Sequence, residues 1–363
     1  MVEAKKRYVG IDLGKKDYTM SIIGRNGKMS IHLGKTTDKG REALYKLLEK
    51  NDKVALEAGN LSFIMAGEII NRVGCEVRVL NSAKLPFIWD APTKTDKEDA
   101  MKLAHLIEER RDEKLPIVPL PSEEELKMRK TLASYRRVVK NRTREINLLH
   151  AIFVHNVITT IVRKNLATLE RRKEAVQLLN GYEREEAQWI LKHLELYEQQ
   201  IIELKTKMQN ETKNNEDMKR LQSIVGVGPV IAYAFIAHIG DGSRFSKGAQ
   251  VSNYIGFVPK LDYSGTIQRN GHITKRGNAY LRGLLVQAAW TAVKSKKGGA
   301  LRTRYNFYTL QGASKKKTIV SIGRRMAELM FSVLRNKTVY EPRIWSGPKD
   351  SPVKIIYGEP MSA

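Results

Sequence analysis

Cysteine is nearly absent: Cys75 is the only one in 363 residues. That excludes an internal disulfide and any zinc site built on thiolates. Long apolar runs are missing too, since no stretch approaches the roughly 20 apolar residues that a membrane-crossing helix needs. The opening residues, MVEAKKRYVGIDLG, lack the apolar region and small-residue cleavage site of a secretory signal. Acids are scarce: 39 Asp and Glu face 64 Lys and Arg, a formal charge of +25 with a pI near 9.9. So large an excess of positive charge favours a polyanionic partner, with nucleic acid as the default. The expectation is a soluble protein of a reducing, cytoplasmic compartment with no membrane partner.

The chain exceeds most single cores, so two or three domains are expected. Composition divides it into 1–118, 119–218 and 219–363. In the first zone RYVGIDLG, YTMSIIG and MSIHLG read as three strands, and the Asn26-Gly27 turn between the last two predicts an antiparallel hairpin. DKGREALYKLLEK follows as an amphipathic helix with Leu44, Leu47 and Leu48 on one face. KVALEAG and CEVRVLN are short strands around the helix LSFIMAGEIINRVG, and a last helix runs from about Asp96 to Arg111. This order predicts an α/β domain with a mixed sheet.

The second zone reads as almost purely helical. SEEEL places acids in a first turn, and apolar residues then recur from Leu126 to Val154. Further on, Ala187, Ile190, Leu194, Tyr197, Ile201, Leu204 and Met208 step alternately by three and four. Such a seam fits a coiled-coil arm, closed within the chain or against a second copy. The third zone opens with LQSIVGVGPVIAYAFIAHIG. Gly226 and Gly228 allow a tight turn between two helices, serving either a helix-hairpin-helix grip on a phosphate backbone or simple packing. The tail ends in a basic helix with an apolar face, SKKKTIVSIGRRMAELMFSVLRNK.

Four carboxylates stand out. Asp12 interrupts the first strand and Glu57 ends a later one, and a charge so placed is costly to bury unless paired or bound to metal. Asp96 and Asp99, in TKTDKEDA, are three apart and share a helix face. Together they make a hard-oxygen set suited to Mg²⁺ or Mn²⁺. Singly, each is weak evidence: a helix N-cap is the commoner job for an aspartate placed like Asp96, and Asp99 reads as well as a solvated helix acid.

VGIDLGKKDYTMSII, ALEAG and TKTDKEDAMKLA resemble the three N-terminal blocks of the Asp-Glu-Asp-Asp (DEDD) transposases of the IS-one-ten insertion-sequence type. LQSIVGVGPVIAYAFIAHIGDGSRF, YIGFVPKLDYSG and HITKRGNAYLRGLLVQAAW resemble that family's C-terminal transposase domain. The likeness runs through nearly the whole chain in order. It implies an RNase H-like first domain, close to Holliday-junction resolvases, and a mainly helical C-terminal domain with a helix-hairpin-helix-like element. Asp12, Glu57, Asp96 and Asp99 would hold divalent metal, and Ser264 in DYSG would be the nucleophile. The arm would dimerise the protein and hold RNA, giving a dimer or a dimer of dimers in which the metal site of one subunit faces the serine of another. Element-end and target DNA would be the substrates, a bridge RNA the guide, and the prokaryotic nucleoid the place of action. Lys94, Lys275 and Arg276, with Gly226 and Gly228, are candidate nucleic-acid contacts.

From chemistry alone, Ser264 looks like a turn residue, and Ser243, Ser246 and Ser252 are not distinguished from it. Where many family members carry a Gly-Thr-Tyr-like run after the glutamate, this chain has Gly59-Asn60-Leu61-Ser62. His272 is assigned no catalytic role. GIDLGKKDYTMSII also resembles the first phosphate hairpin of actin-like ATPases, but no second phosphate loop or adenosine-binding glycine pair follows. A junction-resolving nuclease that uses water, and a non-catalytic RNA- or DNA-binding protein, are the competing functions.

Overall fold

The computed structural model describes residues 6–59, 61–81, 95–264 and 267–342, with backbone alone at 261–270. These fold as two compact units, 1–122 and 123–363.

The first unit is built on a six-stranded sheet. Its strands are β1 (Tyr8–Leu13), β2 (Asp17–Ile23), β3 (Met29–Lys35), β4 (Lys53–Glu57), β5 (Glu76–Leu80) and β6 (Ile117–Val118), in the spatial order β3-β2-β1-β4-β5-β6. The first three form the antiparallel meander expected from the Asn-Gly turn. β4 and β5 add parallel to β1, and β6, too short to read in the sequence, closes the edge antiparallel to β5. Connecting helices are α1 (Asp38–Leu47), α2 (Ser62–Val73) and α3 (Asp96–Glu109). Thr37 caps α1 by accepting from Gly40 N, and Gly74 ends α2 in the left-handed conformation.

Alternation along the strands sorts side chains between two layers. Val9, Ile11, Val54, Leu56 and Val79 pack with Leu44 of α1 and Met65 and Ile69 of α2. Ala55 and Leu80 face the other way, against Leu103, Leu106 and Ile107 of α3. Gly10 belongs to this second face. A Cβ there would stand on the Ala100 carbonyl and the Ala104 amide, so glycine lets α3 lie directly on β1.

The second unit is helical apart from one hairpin. Its two longest helices, α4 (Glu123–His155) and α6 (Gly181–Lys213), pack on each other and are bridged at their far end by α5 (Leu169–Val176). Ile146, Leu149 and Phe153 of α4 meet Ala187, Ile190 and Leu194 of α6 there. Arg172 of α5 is fully buried, donating to the carbonyls of Leu166 (2.8 Å) and Ala167 (3.0 Å) and to Glu198 (2.7 Å). Of the seven seam positions, Ala187, Ile190, Leu194 and Met208 are buried and Tyr197, Ile201 and Leu204 half-buried.

At the near end Met128, Leu132 and Met208 join a large core made by α7 (Glu216–Gln222), α8 (Pro229–Ile239), α9 (Gly248–Ile255), α10 (Ala279–Lys294), α11 (Gly299–Leu310) and α12 (Lys315–Asn336). The base of the arm and the C-terminal helices therefore share one core. A hairpin of β7 (Pro259–Ser264) and β8 (Ile267–Ile273) projects between α9 and α10. Among the described residues no helix is long and apolar enough to cross a membrane.

Candidate functional site

The N-terminal carboxylates are positioned by regular elements. β1 and β4 run parallel, with Gly10 opposite Ala55 and Ile11 opposite Leu56. One further step of that register sets Asp12 beside Glu57. Asp12 lies two residues beyond Gly10, and Glu57 two beyond Ala55, so by alternation both share the sheet face that α3 covers. Asp12 is the penultimate residue of β1, nearer its C-terminal end than the sequence suggests.

α3 runs back along this face. Its C-terminal residues Leu106 and Ile107 share a cluster with Tyr8, at the start of β1. Its N-terminal turn therefore lies toward the Asp12 end. Thr95, not Asp96, caps the helix, with its hydroxyl accepting from Glu98 N at 3.3 Å. That frees the Asp96 carboxylate from the capping role open to it in the sequence. Asp96 is exposed, whereas Asp99 is only 3% exposed. One carboxylate oxygen of Asp99 is buried without a hydrogen bond, an unstable situation for an acid with no cation at hand.

The loop after β4 is tied back onto the strand by Ser62. Gly59 N donates to the Ser62 hydroxyl at 2.9 Å, and that hydroxyl donates to the Glu57 carbonyl. Ser62 is buried and ties the loop back onto the residue bearing the carboxylate.

The fit to a metal is partial. The donors are hard oxygens of the right kind, and the orphaned Asp99 oxygen is what a cation would satisfy. Among the described residues, however, no three His, Cys, Asp or Glu side chains stand close enough together to hold an ion. The backbone brings the tetrad to one face and one end of the sheet, and the side chains do not converge. A large open cavity of about 1010 Å³ lies at the opposite end, lined by Tyr8, Lys53, Glu76 and Asp112 among others. Of its carboxylates, Asp112 is engaged by Lys53 and Arg78, and Glu76 by Arg78.

In the second unit Ser264 ends β7, its backbone paired with Ile267 at the tip of the hairpin. Its side chain lies outside the described residues, as does Lys94. The rival serines differ in their surroundings. Ser252 is fully buried against Glu328. Ser243 donates to Asp241 at 2.7 Å, and that bond, with one from the Ser243 amide, holds the Asp241 carboxyl below its usual range despite partial burial. Ser246 is exposed in the loop before α9.

The root of the hairpin is locked by backbone. Gly256 (φ +85°) and Gly277 (φ +98°) press against the Arg276 and Tyr254 carbonyls, where no Cβ would fit. Between them Lys275 takes φ +54°, a left-handed conformation unusual for lysine, and its amide donates to Gly256 O at 3.3 Å. Lys275 and Arg276 are both exposed just before α10. Deeper in, Asn278 caps α10 and contacts the His238 ring. Burial first, then Arg129 and Arg244, pushes His238 down to about 4, so it is neutral at pH 7.

Gly226 has a packing reason of its own. At φ +94° it sits against the Ala288 carbonyl of α10, closer than any side chain would allow. Gly228 caps α8, ahead of Pro229 in the first turn, with open space at its Cα. The hairpin on which His272 lies was not read as strands in the sequence, although Asn270-Gly271 resembles a turn signal.

Residues 9–158 match a family described as transposases of the DEDD, IS110 type. Residues 218–306 match the transposase IS116/IS110/IS902 family. A "Probable family 20 transposase" of Pseudomonas aeruginosa is 26% identical over 80% of this chain and 86% of its own length. The transposase for insertion sequence element IS1111A of Coxiella burnetii is 30% identical over 35% of each chain. A pilin gene-inverting protein of Moraxella bovis is 25% identical over 69% of each.

Proposed function

Because the chain belongs to the IS110 family of DEDD transposases, we propose that it cuts and rejoins insertion-sequence DNA through a carboxylate-held metal site and a phosphoserine. It is a DNA transposase/recombinase, and a DEDD domain implies use of a divalent metal. The finer reading assigns Asp12, Glu57, Asp96 and Asp99 to that metal, Mg²⁺ or Mn²⁺, and Ser264 to the nucleophile. What supports it is the parallel pairing of β1 with β4 as far as Ile11 and Leu56, the residues just before Asp12 and Glu57, with the unsatisfied Asp99 oxygen on the helix that covers this face.

When bound, a divalent ion stabilises charge on the scissile phosphate and favours deprotonation of a nearby hydroxyl. The chain's own groups do the rest. The Ser264 hydroxyl attacks phosphorus, forming the Ser–O–P bond as the bond to the 3′ oxygen breaks. The serine proton leaves and the departing oxygen gains one, so the products are a phosphoserine and a free 3′ hydroxyl. A different 3′ hydroxyl reverses the step, and because bond energy is conserved no nucleotide cofactor is needed. Lys275 and Arg276, exposed ahead of the α10 N-terminus, neutralise phosphates near the hairpin. Gly226, Gly228 and Lys94 are the remaining residues assigned to nucleic-acid contact. A bridge RNA supplies target choice, and the enzyme acts as a homo-oligomer, dimer or dimer of dimers.

The test is a trapping assay on end-labelled element-junction DNA with Mg²⁺ and RNA from the flanking non-coding region. A denaturation-stable protein–DNA adduct, lost in both Ser264→Ala and Asp12→Ala, is the expected result. Free cleaved ends that persist in Ser264→Ala would mean a nuclease using water instead. Tight binding without any Mg²⁺-dependent cleavage would leave a binding protein.

A further inference from the structure

The two long helices of the second unit are chemically unequal. From Leu126 to His155, α4 carries eight Lys and Arg against a single acid, Glu145. α6, over Gly181–Lys213, carries seven Glu against five Lys and Arg. The arm therefore has one strongly basic side and one of mixed charge.

Apart from Lys127, exposed near the start of the helix and off the stripe formed by the second set, the basic residues of α4 split into two sets by what they touch. Arg129 donates to the Ala237 carbonyl at 2.6 Å, Arg136 lies 5.2 Å over the Tyr280 ring, and Arg142 donates to Glu198 at 3.1 Å. These three fasten the arm. Lys130, Arg137, Lys140 and Arg144 are all exposed, and none has an ion pair or side-chain hydrogen bond among the described residues. They follow one another at steps of seven, three and four, which on a helix is one stripe opposite the buried residues Met128, Leu132 and Ile146. From Lys130 to Arg144 the stripe is about 21 Å long. Ala133, Ser134 and Asn141 lie between its charges, and no acid breaks it. At one end it is bounded by Glu123, Glu124 and Glu125, at the other by exposed Leu148.

We propose that this face of α4 is a docking strip for the phosphate backbone of duplex DNA. Four unpaired cations at fixed spacing on a straight helix suit a regular row of phosphates, and their side chains read no base. A membrane would want large apolar side chains among the charges. The strip rests on the proposed function and extends it, adding a phosphate-binding surface on the arm.

The test is fluorescence anisotropy of a labelled 30-base-pair duplex with the full-length protein across a salt series. The variant carries Lys130→Gln, Arg137→Gln, Lys140→Gln and Arg144→Gln, and a control carries Lys192→Gln, Lys205→Gln and Lys207→Gln on α6. The α4 variant is expected to flatten the slope of log affinity against log salt by about 3, with at least a tenfold loss near physiological salt. The α6 control keeps most of the wild-type slope. A variant exchanging Lys for Arg and Arg for Lys at the four α4 positions retains binding, which separates charge from fold. If the α4 variant binds duplex DNA as wild type does, whatever it does to a hairpin RNA, the strip is overturned. The trapping assay would still stand on its own, because adduct formation on junction DNA does not depend on where the arm touches it. Failure of the wild type to bind any duplex would overturn both.

Discussion

The two halves of the proposed chemistry are held by different means. The carboxylates sit on regular elements: two adjacent parallel strands and the first turns of a helix laid on them. Ser264 sits at the tip of a two-stranded hairpin whose root is fixed by two glycines pressed against backbone carbonyls. The first arrangement distributes its support over a hydrophobic core, where many small contacts each contribute. The second concentrates it at Gly256 and Gly277, where one methyl group is decisive. Regular elements bring the backbones of several carboxylates to one face at once. A hairpin lets a single nucleophile reach outward, at the cost of depending on a few backbone contacts.

The contrast is broken most severely at the reacting groups themselves. Asp12→Ala and Ser264→Ala are each expected to reduce adduct formation by roughly a thousandfold or more, with thermal unfolding near wild type. An adduct retained in Ser264→Ala would remove the serine from the reaction.

Next come the hairpin-root glycines. Gly256→Ala or Gly277→Ala forces a Cβ into a backbone carbonyl and strains a left-handed φ, costing about 2–4 kcal/mol in denaturant unfolding. Gly10→Ala makes the same kind of clash under α3. It is expected to loosen that helix, read as faster amide exchange from Asp96 to Glu109 while the hairpin keeps its protection. Equal effects of both changes on both regions would erase the distinction between the two modes of support.

A smaller effect of opposite sign is expected at Asp99. Its buried oxygen lacks a partner, so Asp99→Asn relieves an unpaired charge and raises the metal-free melting temperature by an amount worth about 1–3 kcal/mol. The same change should abolish any stabilisation by added Mg²⁺ or Mn²⁺. A melting point lowered without metal, with the metal response intact, would put Asp99 in the core and outside the site.

The smallest concerns pH. His238 titrates near 4 in the folded chain and near 6.5 when unfolded, so the unfolded state takes up the proton first as pH falls. Its contribution is complete above about pH 6.5 and drains away between there and about 4. The drop in melting temperature from pH 7 to pH 5 should be smaller in His238→Asn than in wild type. An equal drop in both would move the acid sensitivity elsewhere.

Most of the first unit was legible because its signals are local. Alternation in VGIDLG and ALEAG and the Asn-Gly turn are read within a few residues, and so is the Thr-x-x-acid start of TKTDKEDA. The capping hydroxyl of Thr95 was the one local signal passed over, in favour of Asp96. The hairpin of 259–273 was not read as strands, because Pro259, Gly265 and Gly271 interrupt any period. The split among the α4 cations is invisible in sequence as well, since Arg136 and Arg137 differ only in what lies across from them.

By itself the sequence carried the excess of positive charge that favours a polyanionic partner, the order of the first five strands through periodicity, and the family resemblance through blocks spread along the chain. Tertiary structure alone decided that the strands bearing Asp12 and Glu57 are neighbours, that Asp99 is buried with one oxygen unsatisfied, and that Ser252 is enclosed. It alone decided which cations of α4 are spent on the arm and which face solvent. The reason is physical: propensity and periodicity act between residues close along the chain, whereas register, burial and pairing are set by what packing brings from far away.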